Sequence, residues 1–248
     1  MRIAVLHLLV TLCCSSCASV YISSLRNVPL LEKQGEFQGN ASFGNGMNAN
    51  GAFALTNHIG IAAGGLYADN RYQRYNNTYR IHKSAEVGLG YFNHTDRTSF
   101  EVYTGFGGGS GYAQDSTFGW FFFNNSQVIA EGRYEKYYIQ PTFAFNRRRI
   151  QMAITMRFTY LEFQDISITD NGDPVHFSQK TFLMIEPSFT AKFFILQHTP
   201  SIFVFTQAGF NFVDQKDYNE RSLPYSVLHY NFGVGIRLAK KPRTPSQH

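Results

Sequence analysis

Asp165, Asp170, Asp173 and His176 fall within one short stretch, and Asp214, Asp217 and Glu220 fall within another. A carboxylate that orients a histidine can activate water for hydrolysis, and clustered carboxylates suit a divalent cation. The spacing Asp-x-x-x-x-Asp-x-x-Asp-x-x-His matches neither a catalytic nor a ligand signature, and Asn171-Gly172-Asp173-Pro174 has the composition of a turn. Both stretches therefore read as polar loops, with no catalytic residue and no metal site. Glu186 and His229 lack the serine nucleophile that Ser/His/acid hydrolysis requires and read as packed interior groups. Gly105–Gly111 (GFGGGSG) is not a phosphate loop, because Tyr112-Ala113-Gln114 supplies neither the Lys-Ser/Thr pair nor a following helix. It reads as strand-end glycines entering a loop. No cofactor is expected.

The amino terminus carries a different chemistry. MRIAVLHLLVTLCCSSC has a basic residue (Arg2), an apolar core from Ile3 to Leu12, then small residues, which is the pattern of a cleaved export signal. All three cysteines (Cys13, Cys14, Cys17) lie within it. Ser15-Ser16-Cys17-Ala18 resembles a bacterial lipobox, so Cys17 is the expected lipidation site; ordinary cleavage after Ala18 is the competing reading. No later segment has the roughly eighteen consecutive apolar residues of a membrane-spanning helix. Residues 1–16 are expected to be the signal peptide, 17–33 a lipidated tether broken by Pro29, 34–238 a barrel, and 239–248 a basic tail.

The elements are expected to be strands. Phe (24) and Tyr (15) are abundant and charged residues make up only 16%, a mix that favours β-structure. In Ile150–Phe163 (IQMAITMRFTYLEF), Ile150, Met152, Ile154, Met156, Phe158 and Tyr160 alternate with Gln151, Ala153, Thr155, Arg157 and Thr159, so one face is apolar and the other polar. The same alternation predicts ten strands, at about 34–43, 47–56, 59–68, 82–92, 99–108, 132–146, 150–163, 180–194, 201–213 and 226–238. The ninth is the least clear, because both of its faces carry Phe. After the first hairpin, short connections (57–58, 93–98, 147–149, 195–200) alternate with long ones (69–81, 109–131, 164–179, 214–225). Short turns at one end and long loops at the other are the pattern of an outer-membrane barrel. Pro141 and Pro187 fall mid-strand, where each removes a ladder donor, and a bulge is expected at each.

The expected fold class is all-β: a single antiparallel up-and-down membrane β-barrel of about ten strands. The apolar face is too aromatic and continuous to fit inside so narrow a ring, so it is expected on lipid. Glu36, Glu86, Glu101, Arg157, Glu186, Lys192, His229 and Arg237 are then expected to form a charge network in the lumen, because buried charges must be paired. Tyr67, Tyr91, Tyr137, Tyr160 and Tyr230 are expected at the membrane interfaces. Trp120, Phe121, Phe122 and Phe123, in the longest loop, are the candidate partner-binding tip. The net charge of +5 is spread along the chain apart from Arg147–Arg149 and Lys240–Arg243, which argues against nucleic-acid binding.

SSCASVYI (Ser15–Ile22), NVPLLEKQGE (Asn27–Glu36), LTNHIGI (Leu55–Ile61), EVGLGYF (Glu86–Phe92) and FEVYTGFGGGSG (Phe100–Gly111) give the chain a resemblance to a family of Bacteroidetes lipoproteins and outer-membrane barrels. The resemblance implies an outer-membrane place and carries over no catalytic residue. The expected function is non-enzymatic, structural or in surface interaction, with membrane lipids and a surface protein or glycan as partners and the amino terminus on the periplasmic side. Two alternatives are a barrel enzyme using the external Asp/His set, and a lipid-tethered soluble barrel holding a hydrophobic ligand, which would need the apolar face inside.

Overall fold

The computed structural model describes residues 19–69, 79–118, 125–147, 149–175, 180–196, 201–214 and 225–239. Its strands are β1 (Phe37–Gly44), β2 (Met47–Ala54), β3 (Ile59–Asp69), β4 (Tyr79–His94), β5 (Thr98–Phe118), β6 (Asn125–Asn146), β7 (Ile150–Asp170), β8 (Asp173–Val175), β9 (Thr181–Phe194), β10 (Ser201–Phe210), β11 (Phe212–Val213) and β12 (Leu228–Leu238). Each long strand pairs antiparallel with the next, and β12 pairs with both β10 and β1. The result is a closed ten-strand barrel. The two-residue β11 continues β10 along β9, and β8 folds back on the end of β7. Closure leaves none of the ten with a free edge.

Parity along each strand decides what faces out. From Ile150 to Tyr160 on β7 every second residue is an exposed apolar one, while Gln151, Thr155, Arg157 and Thr159 between them are buried. Phe37, Phe43, Phe106, Ile139, Phe143, Phe189, Phe232 and Val234 continue this outer belt around the ring. The soluble reading requires the opposite arrangement. On β10 both faces carry Phe because Phe203 and Phe205 pack inside while Ile202 and Phe210 face out.

The wall is uneven. β5, β6 and β7 have 21, 22 and 21 residues, whereas β1 and β2 have 8 each. The stretches 109–131 and 164–179, expected as loops, are therefore largely strand. The glycines of Gly105–Gly111 do not open a loop; they sit within β5, and Gly105, Gly107, Gly109 and Gly111 all point inward. A side chain at Gly105 would meet the Tyr138 hydroxyl and one at Gly109 the Tyr134 hydroxyl, each at 2.6 Å. Their small size makes room for large interior rings, which in the sequence looks like flexibility. The prolines also differ from expectation. β6 stays in register with β7 across Pro141, and Pro187 stays in register with Met156. The one register shift between β6 and β7 lies at Arg133/Tyr134, where Gln164 is the extra residue on β7. Both prolines face outward, where the missing donor interrupts the ladder without displacing it.

The largest departure concerns the tether. Ser19 to Leu31 is buried throughout and lies inside the barrel. It forms no strand; among the described residues its one ladder-type pairing with the wall is a parallel bridge between Tyr21 and Tyr225. Each of the five apolar clusters among the described residues contains one or two of its side chains: Val20 and Tyr21, Ile22, Leu25, Val28 and Leu30, or Leu31. The lumen is a packed core only because this segment occupies it.

Candidate functional site

The occupied lumen is where the buried polar chemistry converges. The wall supplies side chains whose partners are the backbone of the inner segment. Asn48 Oδ1 accepts from the Leu25 N–H (3.0 Å). Gln207 is used twice, accepting from the Arg26 N–H and donating to the Arg26 carbonyl, both at 3.0 Å. Gln140 donates to the Asn27 carbonyl (2.8 Å), and Glu101 accepts from the Leu31 N–H (2.9 Å). Lys192 donates to the carbonyls of Val28 (2.5 Å) and Pro29 (3.2 Å). An irregular buried backbone must find such partners or lose the full value of its hydrogen bonds with water. Leu30 adopts φ 55°, a region a branched side chain enters only when its surroundings hold it there. That turn aims the Val28 and Pro29 carbonyls at one ammonium.

A charged cluster sits at mid-height. Glu86 pairs with Lys136 (2.6 Å) and Arg157 (2.9 Å) and accepts a hydrogen bond from the Ser24 hydroxyl (2.8 Å). Glu186 accepts from Ser23 (2.6 Å) and Thr159 (3.0 Å) and lies 3.7 Å from Arg26. Arg26 also donates to Asn211 (2.6 Å) and to the His229 ring (2.8 Å to Nδ1). Arg157 donates to Gln140 (2.8 Å) and lies over the Tyr138 ring at 4.5 Å. Every ion here is buried and every one has a partner, the condition for keeping charges out of water.

A second cluster closes the short-turn end. Arg237 pairs with Glu32 (2.6 Å) and Glu36 (3.1 Å). Burial pushes the Glu36 carboxyl above the ordinary range, and Arg237 pulls it part of the way back.

All eight residues expected in the lumen charge network face inward, with Arg237 at its lower rim. The structure adds Arg26, Ser23, Ser24, Lys136 and Gln207, which the sequence reading does not reach, together with Asn48 and Gln140, whose alternation already places them on the polar faces. Lys136 is legible in principle, since it alternates with Tyr137 and Ile139. The inner segment has its own signal: SVYISSLRNVPLL carries too many large apolar side chains for a solvated linker.

The external acid–base candidates do not come together among the described residues. Asp165 is exposed, Asp170 and Asp173 flank the Asn171–Gly172 turn, and Asp214 is exposed. His176, Asp217 and Glu220 lie outside the described residues, as do Cys17, Trp120, Phe121, Phe122 and Phe123. Glu186 faces Arg26 and the Ser23 and Thr159 hydroxyls, and the His229 ring faces Arg26. Among the described residues no group of three His, Cys, Asp or Glu side chains has metal-binding geometry.

No protein-family model matches this chain, and no curated protein matches it. Among solved structures, similarity extends to the translocator domain of the autotransporter NalP from Neisseria meningitidis, at 9% identity, covering 83% of this chain and 86% of that one with a TM-score of 0.47. A bacterial polysaccharide outer membrane secretin matches at 10% identity, over 85% of this chain and 100% of that one, with a TM-score of 0.27. Acinetobacter baumannii CarO matches at 10% identity, over 86% and 100%, with a TM-score of 0.23. Likenesses this distant carry no argument about activity; the barrel rests on the strand pairing itself.

Proposed function

We propose that this protein is an integral barrel of the bacterial outer membrane, sealed by its own amino-terminal segment, with a structural or surface-interaction role and no chemistry of its own. The outward apolar belt carries this reading. On β7 it runs from Ile150 to Tyr160 and ends at Glu162, close to the about 9–11 residues of a tilted strand crossing a bilayer. Tyr137, Tyr160 and Tyr67 stand near its upper edge, with Glu135, Glu162 and Asp69 beyond them. In water the belt would be an aggregation surface far above the few hundred Å² of an ordinary soluble protein.

The filled lumen supports a sealing role over conduction, since a ten-strand ring is narrow and this one contains a peptide. The long-loop face is the surface offered to a protein or glycan partner, and Trp120–Phe123, between β5 and β6 in the sequence, are the proposed contact. Cys17 is the proposed lipid attachment. The test is the migration of carbonate-washed membranes, unheated against boiled, for Cys17→Ser. Retention in the membrane with faster migration of the unheated sample is expected. Release into the wash would sink the reading.

A further inference from the structure

The inner segment has a direction. Its contacts with the wall climb the barrel in order. Leu31 packs by Gly60 and Tyr103, near the short-turn ends of β3 and β5. Val28 and Leu30 pack on Ala144 and Ala153, near the same ends of β6 and β7. Ser24 and Arg26 bond at mid-height, and Ile22 meets Leu66 and Ala68, late in β3. Val20 and Tyr21 join Ala113, Ala130 and Ile168, in the upper extension of β5 to β7. The Tyr21 carbonyl accepts from the Ser226 N–H (3.1 Å), ahead of β12, and Arg80, at the start of β4, reaches the Ser19 hydroxyl (3.5 Å).

The other end is fixed. The Glu32 N–H donates to Glu36 (2.9 Å) as the chain reverses into β1 at the short-turn end. A run from Ser19 to Leu31 reaches roughly 40 Å when extended, longer than the hydrocarbon core of about 30 Å. The segment therefore passes through the barrel from one mouth to the other.

We propose that this chain crosses the membrane inside its own barrel, so that whatever precedes Ser19 is carried on the long-loop face, opposite the carboxyl end. This deepens the outer-membrane reading and rests on it for the words inside and outside. It replaces the periplasmic amino terminus expected from the sequence, which assumes a tether lying outside the ring. An acyl group on Cys17 then meets the outer leaflet, on the same face as the loops, rather than the inner one.

Three short epitope insertions test this, each in the full chain: between Ala18 and Ser19, between Asn171 and Gly172 in the exposed long-loop hairpin, and between Arg147 and Arg148 in a short turn. Antibody binding is compared on intact and permeabilised cells, using variants that keep heat-modifiable migration. The 18/19 tag is expected to bind as strongly before permeabilisation as after, together with the 171/172 tag, while the 147/148 tag binds only after. An 18/19 tag that behaves like 147/148 overturns the threading proposal and leaves the outer-membrane reading intact. Tags 18/19 and 171/172 both hidden, with 147/148 exposed, keep the threading and overturn the assigned orientation. If the 18/19 insertion prevents folding, Ala18→Cys in a Cys17→Ser background, labelled with a membrane-impermeant maleimide, gives the same readout.

Discussion

The mid-lumen cluster and the short-turn rim use the same ions in different surroundings. Glu86, Lys136 and Arg157 have side chains no more than 4% exposed. Glu32, which pairs with Arg237 at the rim, has a side chain 36% exposed. Water can replace a lost partner at Glu32; at mid-height, and at the buried Glu36 below it, water cannot. The deep ions therefore act as a complete set, in which each member is tolerated only because the others are present, whereas the rim ions adjust an end that would hold without them.

The most severe challenge to this contrast is Glu86→Gln, which leaves Lys136 and Arg157 without their shared carboxylate. Uncompensated buried charge costs about 3–5 kcal/mol, so the denaturant midpoint in detergent should fall by the largest amount of any single change here. Adding Lys136→Met should restore part of the loss, because it removes one of the stranded charges; no recovery in the double variant would mean that the cluster does not act as a unit.

Gly111→Val tests the upper half of the lumen. A Cβ there would lie 1.9 Å from the Val20 carbonyl oxygen, so overpacking of about 1–3 kcal/mol is expected. Limited proteolysis should reach residues 19–22 sooner than in the parent, with the barrel still heat-modifiable.

At the rim the sign reverses with pH. The Glu36 carboxyl is raised on folding, so its contribution is fully present below its unfolded value and is lost as pH rises through the folded one. Glu36→Gln should therefore gain stability relative to the parent between mildly acidic and alkaline pH, as read from thermal unfolding across that range. A loss that grows with pH would show that its pair with Arg237 outweighs burial. The smallest effect is expected for Glu32→Gln, within about 1 kcal/mol and shrinking in salt. A cost comparable to that of Glu86→Gln would erase the distinction between the two regions.

Much of this architecture is legible in single residues. The parity of Ile150–Tyr160 tells which face is apolar, and the inward position of Arg157 follows from it. Asn45-Gly46 between two alternating runs marks the first hairpin. The upper halves of β5 and β6 are less legible, because Gly107–Gly111 and polar residues beyond the belt look like a loop until their inward partners are known.

The alternation of side chains is local, so the strands, their two faces, the short-turn end and the charges that point inward can all be read from the order of residues alone. Which inward charges meet cannot. Arg157 lies opposite Glu186 in the ladder yet bonds Glu86 across the lumen, a choice that depends on how the ring closes. The position of Ser19–Leu31 is likewise out of reach of local reading. That segment has no period, and its hydrogen-bond partners come from Asn48, Glu101, Gln140, Lys192 and Gln207 on five different strands. Only the closed barrel brings those five side chains around one path, and only there does an apolar, irregular chain find both the packing and the backbone partners that keep it out of water.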